Sequence, residues 1–206
     1  MLGPLELVPI LSWFVLRGRC RNCSAEISLF YPAIELAALA VALWTILVMP
    51  HELQILTALF GWLLIIQSAI DWGTRRLPDV LTLMLVVTGL AAAYLYDRES
   101  WLIHAVAGVI GATVLIIVAA LYRWIRKSPG LGLGDAKLFG ALGVWVSLSG
   151  LPTVLFLGTS LALVFYAARR LLVKSDSRER LAFGPFLAAA GWLVWLYGPL
   201  VPVYAR

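Results

Sequence analysis

Seven runs of apolar residues, most of them close to the length of a membrane-crossing helix, divide the chain at roughly 32–49, 53–71, 80–96, 101–122, 135–149, 151–173 and 183–204. A hydrocarbon core of about 30 Å needs about 20 apolar residues per helix, and these runs are unlike the short alternating segments of a β-barrel. The pattern predicts an all-α fold, a polytopic membrane helix bundle of about seven transmembrane helices. Turn formers or charges separate the runs: Pro50-His51-Glu52, Gly73 to Pro78, Asp97-Arg98-Glu99, Arg123 to Gly134, Ser149-Gly150-Leu151-Pro152 and Lys174 to Arg180. Residues 1–30 are mixed, with an apolar piece from Leu7 to Leu16, then Arg17, Arg19 and Arg21 around Cys20 and Cys23. They read as an amphipathic segment at the membrane surface, followed by a membrane-embedded domain over 31–206. Glu6 and two prolines stand where a cleavable signal would carry a basic stretch, so this segment is expected to belong to the mature protein.

Composition agrees with the pattern. Of 206 residues, 62% are hydrophobic and only 13% charged, far from a soluble domain's balance. A net charge of +5 raises the possibility of a nucleic-acid partner, but the basic residues sit in the breaks between runs, where topology accounts for them. With residues 1–30 in the cytoplasm, fourteen of the sixteen Lys and Arg fall on that side, against Arg98 and Arg206 on the other. This positive-inside bias predicts a cytoplasmic N-terminus and an external C-terminus. It also puts Asp71, at the end of the second run, and Asp135, at the start of the fifth, on the same cytoplasmic face, although 64 residues separate them.

An acid in lipid costs roughly 2.5–3.5 kcal/mol on insertion scales, so it has a task or a partner. Asp71 reads either as an exposed acid paired with Arg75 one turn on, or as part of a polar stripe with Gln67 and Ser68 that turns toward the bundle interior. Asp135 reads either as an N-cap or as an acid held below the membrane surface. From Asp135 to Ser149 is only 15 residues, about 22 Å of helix, which is short of the hydrocarbon thickness. Two carboxyls together form a hydrolytic apparatus: one, ionised, takes a proton from water while the other, protonated, polarises the scissile carbonyl, and the pair titrates as a unit.

The remaining polar residues weigh less. Gly130, Gly132 and Gly134 allow a tight turn, and beside a catalytic acid they let an extended substrate backbone approach. Lys137 is a candidate for substrate contact, with snorkelling to headgroups as its alternative. Asp79 reads as a helix cap and Glu35 as an acid welcomed at a helix start. His51 and His104 fall at or near the outer face, so a Ser–His, Cys–His or zinc-hydrolase site beside the acids lacks its imidazoles. Cys20-Arg-Asn-Cys23 has the spacing of half a structural zinc site, but four ligands are needed and there is no other cysteine. A zinc site completed by a second copy is the alternative.

Several motifs together resemble the prepilin peptidases, membrane aspartic proteases that process type IV prepilins and type II secretion pseudopilins. They are Ser12-Trp13 with Leu16-Arg17-Gly18-Arg19-Cys20, Tyr31-Pro32 with Glu35, Ile70-Asp71 followed by Leu77-Pro78-Asp79, Gly132-Leu133-Gly134-Asp135-Ala136-Lys137, and Phe183-Gly184-Pro185-Phe186. The Gly-x-Gly-Asp element is also that of the presenilin-like proteases. The resemblance implies cleavage of a short basic leader after a glycine, at the cytoplasmic face of a bacterial inner membrane, with Asp71 and Asp135 as the catalytic pair and no cofactor for proteolysis. It further implies that Phe183 to Phe186 open the last span beside the site. Longer members carry a further N-terminal membrane segment and a first Cys-x-x-Cys, and they N-methylate the product with S-adenosylmethionine. The element matching residues 7–31 stands here without that first one, which leaves methyl transfer and zinc open. Two rival functions remain at this level: a proton-coupled transporter, which needs polar residues marching across the bilayer, and an inactive pilus-assembly scaffold, which is expected to lose one acid.

Overall fold

The computed structural model describes residues 10–96, 98–127, 130, 132–172 and 182–200. Over these residues the chain forms seven helices: α1 (Leu11–Val15), α2 (Phe30–Val48), α3 (His51–Thr74), α4 (Asp79–Tyr96), α5 (Trp101–Arg126), α6 (Leu133–Leu172) and α7 (Gly184–Tyr197). Four of them, α2, α3, α5 and α6, are long and apolar enough to cross a membrane; α4 and α7 are shorter apolar helices. The chain is thus a multi-pass helical membrane protein. Large side chains such as Leu36, Leu43 and Leu47 on α2 and Val106, Val109 and Ile117 on α5 stand exposed. That arrangement is costly in water and natural against lipid.

The fifth and sixth predicted runs are the two arms of α6. A straight 40-residue helix spans about 60 Å, twice the hydrocarbon thickness. It is broken at Ser147, whose φ of 60° and ψ of 180° lie outside helical space. The sequence places the break at Ser149 to Pro152. Pro152 has no N–H for the carbonyl of Leu148 and crowds it, so the ladder is interrupted just before this level, and Ser147 takes the turn. The first arm, Leu133 to Val146, is therefore as short as expected. The predicted break at Lys174 to Arg180, the end of the seventh run, Arg206, Asp97, Leu7 and the loop positions 128, 129 and 131 lie outside the described residues.

The first arm of α6 is the centre of the bundle and packs against α4, α5 and α7. Leu138 to Trp145 are buried without interruption. Lipid tails are as apolar as these side chains, so close packing rather than exclusion from water holds such an element. Small residues provide it. A Cβ on Gly143 would stand 2.7 Å from the carbonyl oxygen of Ala107 and 3.3 Å from Cα of Gly108 on α5. Backbone cannot yield as a side chain does, so Gly143→Ala is expected to cost about 1–3 kcal/mol, read as a lower Tm in detergent. On the opposite side Trp145 stacks on Phe60 of α3, with ring centroids 4.2 Å apart, and donates its indole N–H to the Leu85 carbonyl of α4 at 2.8 Å.

The N-terminal segment differs from the expected amphipathic stretch. Among the described residues it is one short helix followed by a tight reversal, with Arg19 and Glu26 bridged in antiparallel fashion. Gly18, at φ 68°, lies under the Trp13 ring, where a Cβ would approach to 2.8 Å. Glu35 also departs from expectation. Helix α2 begins at Phe30, so Glu35 lies beyond the first turn, and its Oε2 accepts the Ile10 N–H at 2.7 Å. It ties the segment to the bundle and does not serve the helix dipole.

Candidate active site

Chain alternation brings the C-terminal end of α3 and the N-terminal ends of α4, α6 and α7 to one end of the bundle. Asp71 lies in the last turn of α3 and is only 5% exposed, which excludes the exposed-acid reading. Its Oδ2 accepts the backbone N–H of Gly184, the first residue of α7, at 3.1 Å. Arg75 contributes through its backbone instead of its guanidinium: held in the left-handed region at φ 54°, it caps α3 by donating its N–H to the Asp71 carbonyl at 2.8 Å.

Asp135 is the third residue of α6 and not its N-cap. Gly132 occupies the cap, its carbonyl accepting the Ala136 N–H, and the Asp135 carboxyl reaches back to the Gly132 backbone N–H. This is the return bond of a capping box, in which an acid at the third helical position satisfies a donor the helix leaves open. A Cβ on Gly132 would lie 3.1 Å from Oδ2 of Asp135, so glycine leaves the carboxyl room to fold back.

The two carboxyls lie within Coulombic range of each other, and Leu77 packs against the starts of α6 and α7 beside them. A Cβ on Gly134 would be 3.1 Å from Leu77 Cβ, and one on Gly184 would be 3.3 Å from Leu77 Cδ2. Leu77 and Gly184 fall in motifs that carry the resemblance, and Gly184 opens the last span beside the site as that resemblance implies, but the contact between Gly184 and Asp71 spans 113 residues. An apolar groove of about 370 Å³ between α2, α3 and α7 opens beside them, reaching Ser68, Trp72 and Pro185.

Lys137 has a partner within the chain. Its Nζ donates to Oδ1 of Asp79 at 2.7 Å, linking the first turns of α6 and α4. Asp79 likewise spends its carboxylate on Lys137, where a helix cap was expected. The two side chains are 51% and 74% exposed, and exposed pairs contribute little. Asp79→Asn is therefore expected to cost about 1 kcal/mol or less, measured as a small fall in Tm in detergent.

Cys20 and Cys23 form no disulfide, and among the described residues no group of three or more His, Cys, Asp or Glu comes together. Two thiols do not furnish a four-ligand zinc site. The histidines stand apart from the acids. His51 begins α3, 20 residues and about 30 Å before Asp71, and His104 Nδ1 is 2.8 Å from the carbonyl of Val144, two and a half turns along α6 from Asp135.

Similarity to known proteins runs along nearly the whole chain. No solved structure matches the chain. Residues 58–167 match the type IV leader peptidase family and residues 1–49 the bacterial peptidase A24 N-terminal domain. The chain is 36% identical over 199 residues to a prepilin leader peptidase/N-methyltransferase of Aeromonas salmonicida, covering 94% of this chain and 67% of that protein. It is 40% identical over 200 residues to one of Burkholderia pseudomallei (94% and 63%) and 31% identical over 195 residues to one of Neisseria gonorrhoeae (91% and 65%). It thus spans about two thirds of their length. With one family matching more than half of the chain and relatives aligned along nearly all of it, this chain belongs to the type IV leader peptidase family.

Proposed function

We propose that this protein is a membrane aspartic endopeptidase that removes the basic leader of type IV prepilins or type II secretion pseudopilins, with Asp71 and Asp135 as its catalytic pair. One observation carries the reading: two acids from distant parts of the chain lie within Coulombic range at one end of a membrane bundle, each held by a backbone N–H and, among the described residues, neither paired with a cation. The ionised carboxyl takes a proton from water as the water oxygen attacks the scissile carbonyl carbon, whose oxygen is polarised by the protonated partner. Collapse of the tetrahedral intermediate breaks the C–N bond, and the departing nitrogen takes up a proton from the pair. Gly132 and Gly134 leave space for an extended substrate backbone, and the Lys and Arg bias favours a site at the cytoplasmic face of the inner membrane. Methyl transfer is not part of the proposal.

A proton-coupled transporter is less well supported. The buried polar side chains among the described residues are Thr45, Thr57, Gln67, Asp71, Thr82 and Thr153, and Asp71 alone among them ionises as a proton relay requires. The direct test is co-expression with a type IV prepilin in membranes, where a shift to the mature size is expected. A prepilin left intact by the well-expressed wild-type protein would sink the reading and favour the scaffold.

A further inference from the structure

Gln67 lies one turn before Asp71 on α3 and is completely buried. Its Nε2 donates to Oγ1 of Thr82 on α4 at 2.8 Å, and Thr82 donates in turn to the Pro78 carbonyl at 3.3 Å. A hydroxyl has one proton, and here it goes to Pro78, so the Gln67 group facing Thr82 is the amide donor and the amide oxygen is the outward end. That oxygen, Oε1, is buried and has no hydrogen-bond partner. In an apolar interior an unmade acceptor of this kind is costly.

Residues four apart on a helix share a face, and helical side chains lean toward the N-terminus, so Asp71 leans back over Gln67. Among the described residues the Asp71 carboxyl has its one hydrogen bond at Oδ2, from Gly184, which leaves Oδ1 available. An amide oxygen and a carboxylate oxygen are both acceptors and cannot bond each other. They can when the carboxyl carries its proton.

We infer that Gln67 is a positioning residue for Asp71: its Oε1 receives the hydroxyl of the protonated carboxyl, directly or through one water, and so makes Asp71 the acid and Asp135 the base of the pair. The inference rests on the two-aspartate reading above and assigns the roles within it. On the other side of the pair, Asp135 is half-buried in the first turn of α6, with its carboxyl turned back to the Gly132 N–H. Of the charged groups on the elements around Asp71, Asp135 is the one within Coulombic range of it. On α4, Asp79 is exposed and paired with Lys137 of α6; on α2, Glu35 is bonded to Ile10; α7 has no acidic residue in its first turn and no basic residue in its last; and Arg75, just past α3, is exposed.

The test compares the pH dependence of prepilin cleavage by wild type, Gln67→Met and Gln67→Glu in detergent micelles, together with Asp71→Asn and Asp135→Asn. Loss of one hydrogen bond to the acid is expected to lower kcat about tenfold in Gln67→Met, with KM little changed. The alkaline limb of its profile is expected to move to lower pH, because Oε1 no longer favours the protonated carboxyl. Gln67→Glu keeps an acceptor in either protonation state, and once ionised it adds a like charge that favours the protonated Asp71, so it is expected to keep activity and to move the alkaline limb to higher pH, opposite to Gln67→Met. This nearly isosteric variant carries the test where Gln67→Met does not accumulate. Unchanged kcat and pH profile in the Gln67 variants, with both Asp→Asn variants inactive, would overturn the role of Gln67 alone. Full activity in either Asp→Asn variant would overturn the two-aspartate reading beneath it.

Discussion

Asp71→Asn and Asp135→Asn are each expected to reduce prepilin cleavage by about 10³-fold while leaving the protein in the membrane at its normal level. General acid–base catalysis by one positioned group contributes typically about 10²–10⁴-fold, and neither role can be filled by an amide that neither ionises nor gives up its proton. The substitution is mild for the fold. An amide in place of the Asp71 carboxyl keeps an oxygen to accept the Gly184 N–H, and one in place of the Asp135 carboxyl keeps an oxygen to return to Gly132, so the bonds holding each side chain in place survive. The measurement is the conversion of a prepilin to its mature size in membranes, normalised to enzyme detected on the same blot. Full conversion by either variant would remove the two-aspartate mechanism. Loss of protein from the membrane would mean instead that the acid holds the bundle together.

The second large effect is expected at Gly184. An added Cβ would lie 2.7 Å from Oδ2 and 3.2 Å from Cγ of Asp71, and 3.3 Å from Leu77, so the carboxyl must shift by several tenths of an ångström or the first turn of α7 must retreat. Either displaces a reacting group, and a misplacement approaching 1 Å can cost about 10²-fold. Gly184→Ala is expected to lower kcat by about tenfold and Gly184→Val by about a hundredfold, with smaller changes in KM. The direction is informative because helix propensity runs the other way: Ala is favoured over Gly in a helix by about 1 kcal/mol, and on that ground alone the variant should be neutral or more stable. Wild-type kcat in Gly184→Val would mean that the contact between α7 and Asp71 does not set the site.

These expectations draw on residues that differ in how openly the sequence displays them. Asp71 and Asp135 stand out because ionisable groups are rare in apolar runs, and charge bias puts them on one face without knowledge of any contact. Gln67 is visible as part of a polar stripe, but its bond to Thr82 and its orphan oxygen are not. The bond between Lys137 and Asp79 is not legible from either residue alone, because it joins positions 58 apart. Asp135 lies three positions past the cap that the sequence suggests for it, since a glycine at the cap and an acid at the third helical residue satisfy the same backbone donors as an acid at the cap.

The sequence by itself determined the class of protein, its helices and their order, because the length of an apolar run is set by the thickness of a bilayer and breaks need turn formers or charge. It also determined which side chains were expensive enough to matter. Only the tertiary structure decided that Asp71 is buried against the first residue of α7, that Leu77 packs on Gly134 and Gly184, and that Ser147 rather than Ser149 breaks α6. Those features depend on close packing and hydrogen bonds between segments distant in the chain, and such pairings leave no periodicity in either segment for a sequence to display.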